Sequence, residues 1–175
     1  YYKMPAETAE TLTADGWQHT GDLGEIDDEG FLKITGRKKD LIVTAGGKNV
    51  APAPIEGAIA TSKYINQVCV IGDRQKYLSA VVTLDLDNVA EHARDHGIAF
   101  QDPSELMSNS QVHELIESVI AEKNQGLASF ETIKKFRVLD EFTIENGLLT
   151  PTMKVKRNVV MDRFADVIDE MYSES

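Results

Sequence analysis

Two short segments of this sequence concentrate cationic side chains that could contact anionic groups. Residues 35–56 read TGRKKDLIVTAGGKNVAPAPIE, and residues 150–157 read TPTMKVKR. The rest of the chain is acidic, since 18 Lys plus Arg face 29 Asp plus Glu and the formal net charge is −11. Arginine and lysine pair with carboxylates and phosphates, and a lysine of ordinary pKa, about 10.4, is charged at neutral pH. Both segments are therefore candidate sites, and a solvated surface charge is the alternative at each cation.

Other patterns that would indicate a catalytic or metal site are incomplete in this sequence. Gly47-Lys48 is similar to the end of a phosphate-binding P-loop, but Ile42 stands where that motif requires its first glycine. His92 and His96 have the spacing of two zinc ligands on a helix, yet Ala93 replaces the glutamate of a zinc protease. No Ser/His/Asp or Cys/His set is evident. The sequence therefore predicts no metal site.

Composition excludes several classes of function. The negative charge would repel nucleic acid and anionic membranes, so no nucleic acid is expected as a partner. No apolar run approaches the roughly 20 residues of a membrane span, so no transmembrane segment is predicted, and peripheral membrane association stays open. Cys69 lies in an apolar stretch and is predicted to be a buried, inert thiol. These features predict a cytoplasmic location.

The elements that must position the cationic segments begin with a helix at residues 7–14 and a strand at residues 17–20. Two apolar runs at residues 23–26 and 31–34, around a turn that ends in glycine, predict a β-hairpin. The polar joint at residues 36–40 indicates a boundary. We therefore expect two parts, residues 1–38 and residues 39–175.

The second part is predicted to mix helices with strands joined by short connections. The expected strands are residues 40–44, 68–71, 78–84, 136–139 and 142–144, and the expected helices are residues 54–60, 87–96, 104–108, 112–123 and 160–171. Residues 68–84 form a predicted hairpin, and Gly46-Gly47 is a tight turn. This pattern is typical of the α+β class, here a small mixed domain with antiparallel strands and packed helices.

Three segments, taken in order, carry a resemblance to a known family. The run DGWQHTGDLGEIDDEGFLKITGRKKDLIVTAGGKNVAPAPIE resembles the adenylate-forming acyl-CoA synthetases, and LLTPTMKVKR resembles their C-terminal lysine motif in the long-chain fatty acid branch. The opening YYKMPAETAE looks like the stretch that precedes the first motif, and there is no initiator Met. The resemblance implies a C-terminal lid domain that follows a β-hairpin tail of a large N-terminal domain. We therefore expect a fragment of a longer protein.

The resemblance also implies roles for individual residues. Asp22 matches an aspartate that hydrogen-bonds the ribose hydroxyls, and Arg37 matches an arginine that contacts the nucleotide. Lys154 matches the catalytic lysine, which would bridge the attacking carboxylate and the α-phosphate. Lys156 is the competing candidate, since residues two apart in an extended segment point the same way. Thr152-Met153 departs from the Ser-Gly that many members carry before the lysine.

The remaining implied roles concern movement of the lid. Lys39 falls on the hinge about which the lid rotates between its adenylating and thioester-forming poses, a position where Asp is also common. Gly46, Gly47 and Lys48 match a loop that meets the large domain and the coenzyme A channel in the second pose. An ordinary hairpin turn is the alternative interpretation of the two glycines.

The implied activity is that of an AMP-forming long-chain fatty acid–CoA ligase of fatty acid metabolism. Its substrates would be a fatty acid, ATP with Mg²⁺, and coenzyme A, held mainly by the large N-terminal domain, with none bound tightly by this segment alone. The isolated segment is expected to be inactive. Two alternatives stay open: the lid of a fatty acyl-AMP ligase that delivers to a carrier protein, and a non-catalytic binding module.

Overall fold

Two units make up the chain in this computed structural model, which describes residues 1–173. Contacts between Cα atoms separate Tyr1–Leu41 from the chain that begins at Ile42. Within the described residues, every buried hydrophobic side chain belongs to the second unit. The hydrophobic core is therefore a property of that unit.

The first unit is a short helix followed by a β-hairpin. Helix α1 spans Pro5–Thr11, so it begins and ends earlier than the predicted residues 7–14. Strands β1 (Asp22–Ile26) and β2 (Leu32–Arg37) pair antiparallel. The predicted hairpin is thus confirmed, with β2 extended toward the polar joint.

The strand predicted at residues 17–20 is wrong. Leu12 and Gln18 form a single isolated bridge instead. The hydroxyl of Thr13 accepts a hydrogen bond from the backbone N–H of Trp17 at 3.0 Å, which closes a turn. A side chain that bonds its neighbouring backbone competes with strand pairing, so the segment stays irregular.

The second unit is built on a three-stranded sheet. Its strands are β5 (Ile65–Ile71), β6 (Leu78–Leu84) and β7 (Ile133–Leu139), in the order β5-β6-β7. Strand β6 pairs antiparallel with β5, as the predicted hairpin requires, and parallel with β7. All seven residues of β6 are buried, because the strand has neighbours on both edges and both faces.

Helices cover both faces of this sheet. Alternate residues of a strand point to opposite faces, so Val68 and Val70 pack in one core cluster while Cys69 and Ile71 pack in the other. The first cluster is covered by α2 (Pro52–Ile59), α3 (Leu86–Asp95), a 3-10 turn (Pro103–Ser108) and α4 (Ser110–Asn124). The second is covered by α5 (Arg157–Arg163) and α6 (Ala165–Ser173).

The strand predicted at residues 142–144 is also wrong. The side-chain oxygen of Asn146 accepts hydrogen bonds from the backbone N–H groups of Thr143 and Leu148, at 3.0 and 3.2 Å. These groups are therefore satisfied locally and need no partner strand. Phe142 is nevertheless buried in the second cluster, so its apolar character marks a core residue on a loop.

Several other boundaries differ from the predicted ones. The single helix expected over residues 160–171 is two helices, since α5 ends at Arg163 and α6 begins at Ala165. Helix α3 begins one residue before the predicted residue 87 and is capped by Asp85, whose carboxylate accepts from the N–H of Asn88 at 3.0 Å. The strand predicted at residues 40–44 is shorter, since only Ile42–Val43 forms strand β3, which pairs antiparallel with β4 (Asn49–Val50).

The α+β class is confirmed by this arrangement of a mixed sheet and five helices in the described part of the second unit. None of the helices formed by residues 1–173 has both the length and the apolar character needed to cross a membrane.

Candidate functional site

The hairpin of the first unit brings Asp22 and Arg37 together. They are directly paired residues of β1 and β2, and Arg37 Nε lies 3.1 Å from Asp22 Oδ1. Next to them, the N–H of Lys38 donates to the carbonyl of Gly21 at 2.8 Å, which holds the strands together where the hairpin opens. The side chain of Arg37 is 68% exposed and that of Asp22 is 29% exposed, so the guanidinium can still reach a ligand.

Lys39 lies at the polar joint between the two units. It is the middle residue of a 3-10 turn, Lys38–Asp40, and its side chain is exposed. The division between the units falls just after it, between Leu41 and Ile42. The joint is therefore a short exposed segment with little packing of its own.

Gly46, Gly47 and Lys48 lie in a tight turn between two short strands. The strands are β3 (Ile42–Val43) and β4 (Asn49–Val50), which pair antiparallel. Gly47 has φ +73°, a conformation that favours glycine. A Cβ at either glycine would meet no atom closer than 4.0 Å, so the space around the turn is open.

The glycine turn is held from inside by Thr44. The N–H of Gly47 donates to the Thr44 carbonyl at 2.8 Å, and the N–H of Lys48 donates to the Thr44 hydroxyl at 3.1 Å. The ammonium of Lys48 lies 5.6 Å from the centre of the Phe130 ring, a cation–π distance. The backbone of the turn is therefore fixed while its glycine surface is exposed.

Lys154 lies on a short loop with a closed base. Leu149 and Val155 form an isolated antiparallel bridge, and Thr150 N–H donates to the Lys154 carbonyl at 2.8 Å. The Lys154 N–H in turn donates to the Thr150 hydroxyl at 3.0 Å. The backbone of the lysine is thus fixed on both sides, and its side chain is exposed.

Met153 explains how this loop departs from the Ser-Gly form. It has φ +61°, in the left-handed region where glycine is the usual residue. The bridge between residues 149 and 155 closes a turn at this position, so the backbone adopts this conformation although the residue is methionine. The Met side chain is 62% exposed, so it obstructs nothing in the interior.

The structure separates the two candidate lysines by their surroundings. Lys154 is exposed, and its ammonium makes no hydrogen bond or ion pair with any of residues 1–173. Lys156 is partly buried, precedes α5, and donates its backbone N–H to the Leu148 carbonyl at 2.8 Å. Lys154 is therefore the lysine presented on the loop.

Sequence reasoning missed an ion pair next to this loop. Arg157 Nη2 lies 2.6 Å from Glu56 Oε1, although the residues are 101 positions apart. Their side chains are only 23% and 19% exposed. A single sequence does not indicate such a pair. Glu56 follows the buried Ile55 on a helix, and a charged residue in that position is normally solvated.

Cys69 is fully buried, as predicted, and its thiol is held protonated. Burial raises the pKa of Cys69 from 9.0 to about 11; the nearby positive charge of Arg157 lowers this pKa, and the charge of Glu56 raises it. Arg157 Nη1 lies 3.4 Å from the sulfur. The thiol is therefore a core group rather than a nucleophile.

This pKa predicts that the protein loses stability in alkali through Cys69. Between pH 9 and 11 the thiol ionises in the unfolded chain but stays protonated in the folded one, so the free energy of unfolding falls as pH rises. Two pKa units correspond to about 2–3 kcal/mol. Urea unfolding at pH 8 and pH 10.5 measures this, and Cys69→Ala is expected to remove that part of the loss; an identical loss in the variant would contradict the assignment.

The solved structures similar to this chain define its class. It matches the crystal structure of the adenylation domain of a carboxylate reductase from Mycobacterium chelonae with a TM-score of 0.78 and 29% identity, over 99% of this chain and 26% of that one. It matches the A domain of a carboxylic acid reductase from Segniliparus rugosus, in complex with AMP and a co-purified carboxylic acid, with a TM-score of 0.74 and 29% identity, over the same shares. The fold is that of part of an adenylation domain.

Residues 39–175 match the model of the AMP-binding enzyme C-terminal domain, and the chain belongs to this family. Among curated proteins, it is 41% identical over 176 residues to the long-chain-fatty-acid–CoA ligase FadD15 of Mycobacterium tuberculosis. It is 40% identical over 193 residues to the long-chain-fatty-acid–CoA ligase ACSBG1 of Bos taurus. The chain spans 29% and 27% of these two proteins, and both matches cover 99% of the chain.

Proposed function

We propose that this chain is the C-terminal part of an ATP-dependent, AMP-forming long-chain fatty acid–CoA ligase. The enzyme would activate a fatty acid as acyl-AMP and then form acyl-CoA. The observation that carries this proposal is the 41% identity to FadD15 over nearly the whole chain. The exposed Lys154, on a loop with a fixed backbone, also supports the proposal, because the first half-reaction requires a cation at the reacting groups.

Lys154 is proposed as the catalytic lysine of the first half-reaction. A carboxylate attacks the α-phosphate of ATP, so two anions approach and negative charge develops on the phosphoryl oxygens. An ammonium positioned between them stabilises this charge, most strongly where water is excluded. The loop geometry supports this role because it presents the side chain without an internal partner among residues 1–173.

Asp22 and Arg37 are proposed to bind the nucleotide. A carboxylate accepts hydrogen bonds from two vicinal ribose hydroxyls, and a guanidinium donates to ribose or phosphate oxygens. Their contact of 3.1 Å supports this, because each side chain fixes the position of the other. AMP is present in the complex of the S. rugosus A domain, which the chain resembles.

The boundary between residues 1–38 and 39–175 is proposed as the hinge of a rotating lid, with Lys39 as the pivot. A hinge needs an exposed backbone that can change φ and ψ, and the 3-10 turn Lys38–Asp40 meets this need. Gly46, Gly47 and Lys48 are proposed as the surface that faces coenzyme A after rotation. The open space around both glycines supports close approach of a ligand.

ATP with Mg²⁺, coenzyme A and a large N-terminal domain are the proposed partners. No three His, Cys, Asp or Glu side chains come together as a metal site within residues 1–173. A cytoplasmic location is proposed with the activity.

A carrier protein is the second candidate for the acyl acceptor. The observation that favours it is that the solved neighbours with TM-scores of 0.74 and 0.78 are carboxylic acid reductases, one of them solved as an A-PCP didomain with AMP. In that case, the enzyme would be a fatty acyl-AMP ligase with the same lid.

A chimera tests the proposed function directly. In M. tuberculosis FadD15, the segment that aligns with this chain would be replaced by the chain itself; we call this protein the FadD15 chimera. It is expected to exchange pyrophosphate with ATP when a long-chain fatty acid is present, and to form acyl-CoA when coenzyme A is added. A chimera that folds but does not form acyl-AMP would contradict the proposal, and acyl transfer only to a carrier protein would favour the second candidate.

Asp22→Ala in the FadD15 chimera is expected to weaken nucleotide binding by about ten- to hundredfold. The variant loses its hydrogen bonds to the ribose, and a net loss of about 1.5–3 kcal/mol, the value for one hydrogen bond to a charged group, corresponds to this change in affinity. The measurement is the Kd of AMP together with the KM of ATP. Glu25→Ala is the matched control, because Glu25 pairs with Lys33 at 3.4 Å in the same hairpin but is 61% exposed; equal weakening by both variants would contradict the role of Asp22.

A further inference from the structure

The start of α5 is fixed by a guanidinium that contacts Glu56, Val70 and Cys69. Arg157, the first residue of α5, donates from Nη2 to Glu56 Oε1 at 2.6 Å and from Nη1 to the carbonyl of Val70. Its Nη1 also lies 3.4 Å from the sulfur of Cys69. Because Arg157 follows Lys154 by three residues, whatever holds its guanidinium also limits where the lysine loop can lie.

Glu56 completes a closed arrangement around Val70. The same carboxylate oxygen that binds Arg157 accepts a hydrogen bond from the Val70 N–H at 2.7 Å. Among residues 1–173, strand β5 is at the edge of the sheet, so the N–H and C=O of Val70 have no neighbouring strand from this part of the chain on that side. The Glu56 carboxylate accepts a hydrogen bond from this N–H, and the Arg157 guanidinium donates one to this C=O. The ion pair therefore occupies the position where a further strand would pair with β5.

This arrangement joins the two loops proposed to act in catalysis. Glu56 is on α2, which begins at Pro52, directly after β4 and the turn that contains Gly46 and Gly47. Arg157 begins the helix that follows the Lys154 loop. Both loops are therefore attached to one fixed point on the edge of the sheet.

We infer that Arg157 and Glu56 are positioning residues: their ion pair, seated on Val70, holds the Lys154 loop in the place required for acyl-AMP formation. This inference rests on the proposed function, because it assumes that Lys154 acts in the first half-reaction. The position depends on hydrogen-bond geometry as well as on charge. Arg157 uses two different nitrogens for Glu56 and Val70, and a lysine at this position has one nitrogen and cannot reproduce that fork.

Kinetics of the FadD15 chimera separate positioning from general stability. In Arg157→Met and Arg157→Lys, we expect kcat for acyl-AMP formation to fall by about ten- to hundredfold, since small displacements of a catalytic group have effects of this size. The KM of ATP and the transfer of a supplied acyl-AMP to coenzyme A should change less than about twofold, because neither depends on where Lys154 lies and the glycine turn keeps its own hydrogen bonds to Thr44. Arg163→Met is the matched control on the same helix, where the side chain is exposed.

A charge reversal distinguishes this geometry from a simple ion pair. In Glu56→Arg combined with Arg157→Glu, a guanidinium would face the Val70 N–H and a carboxylate would face its C=O, so donors would meet donors and acceptors would meet acceptors. The double variant is therefore expected to remain as slow as Arg157→Met. Recovery of acyl-AMP formation in it would overturn the inference.

Amide hydrogen exchange tests the same inference without activity. In this 175-residue chain, Arg157→Met is expected to speed exchange at residues 150–156 at least tenfold, while exchange in β6 stays within about twofold of the wild type. Unchanged exchange at residues 150–156, or equal acceleration in both regions, would overturn the positioning role. An inactive wild-type chimera would count against the proposed function instead. An active chimera that is slowed by Lys154→Ala but not by Arg157→Met would count against the positioning role alone.

Discussion

Replacing Lys154 with Ala is expected to slow acyl-AMP formation by the FadD15 chimera by about 10²–10³-fold, the usual cost of removing one group that stabilises charge in a transition state. Transfer of the acyl group from supplied acyl-AMP to coenzyme A is expected to keep its rate. The measurement is pyrophosphate exchange for the first half-reaction and thioester formation for the second. The selectivity for one half-reaction is the informative part of the result.

The selectivity follows from where charge develops in each step. In acyl-AMP formation, a carboxylate approaches a phosphate, so an ammonium between them opposes a repulsion that is largest at the transition state. In thioester formation, the acyl group leaves AMP for a thiol, and in the rotated pose the Lys154 loop would no longer face the reacting atoms. Loss of the ammonium should therefore lower the rate of the first step alone.

Lys156→Ala is the matched control for this variant. Lys156 is two residues away in the same segment, but it is partly buried at the start of α5. It is expected to change acyl-AMP formation less than about threefold, since it lies outside the presented loop. A larger effect for Lys156 than for Lys154, or equal loss of both half-reactions in Lys154→Ala, would contradict the assignment.

The parts of the candidate site that sequence could predict are those that depend on local pattern. The two apolar runs around an acidic turn predict a hairpin, and that hairpin makes Asp22 and Arg37 direct neighbours. The glycine pair predicts a tight turn, and Gly47 has the positive φ that such a turn uses. The roles of these residues came from the family resemblance and stay predictions.

The parts that sequence could not predict depend on contacts between distant segments. The parallel pairing of β7 with β6 joins residues near 80 to residues near 136, and no local pattern specifies that partner. The ion pair of Glu56 with Arg157 spans 101 positions, and each residue alone is consistent with a solvated charge. Long-range geometry of this kind is decided by packing, which periodicity does not record.

The loop before the lysine segment shows that a short apolar pattern does not determine local structure either. Apolar Phe142 and Ile144 on either side of a threonine predict a strand, yet Asn146 binds the backbone there and only Phe142 enters the core. The alternation suggested both burial and a strand at this position. In the structure, Phe142 is buried although it lies on a loop. Phe142 therefore contributes to the site as a core residue beneath the lysine loop.

This burial leads to the second large prediction, which concerns stability. Phe142 is 1% exposed and packs in the same cluster as Leu148 and Leu149, the residues at the base of the Lys154 loop. Its ring also stacks on that of Phe164 with centroids 6.3 Å apart. Phe142→Ala removes a large side chain from a close-packed core and should reduce the free energy of unfolding by about 3–5 kcal/mol.

Urea unfolding of the 175-residue chain measures this loss, with Phe130→Ala as the matched control. Phe130 is 40% exposed in the same unit, so its removal is expected to cost less than about 1 kcal/mol. Phe142→Leu keeps most of the volume and should recover more than half of the loss, which keeps the prediction testable if the alanine variant does not fold. Equal losses for Phe142→Ala and Phe130→Ala would show that the cluster beneath the Lys154 loop is not what stabilises this part of the domain.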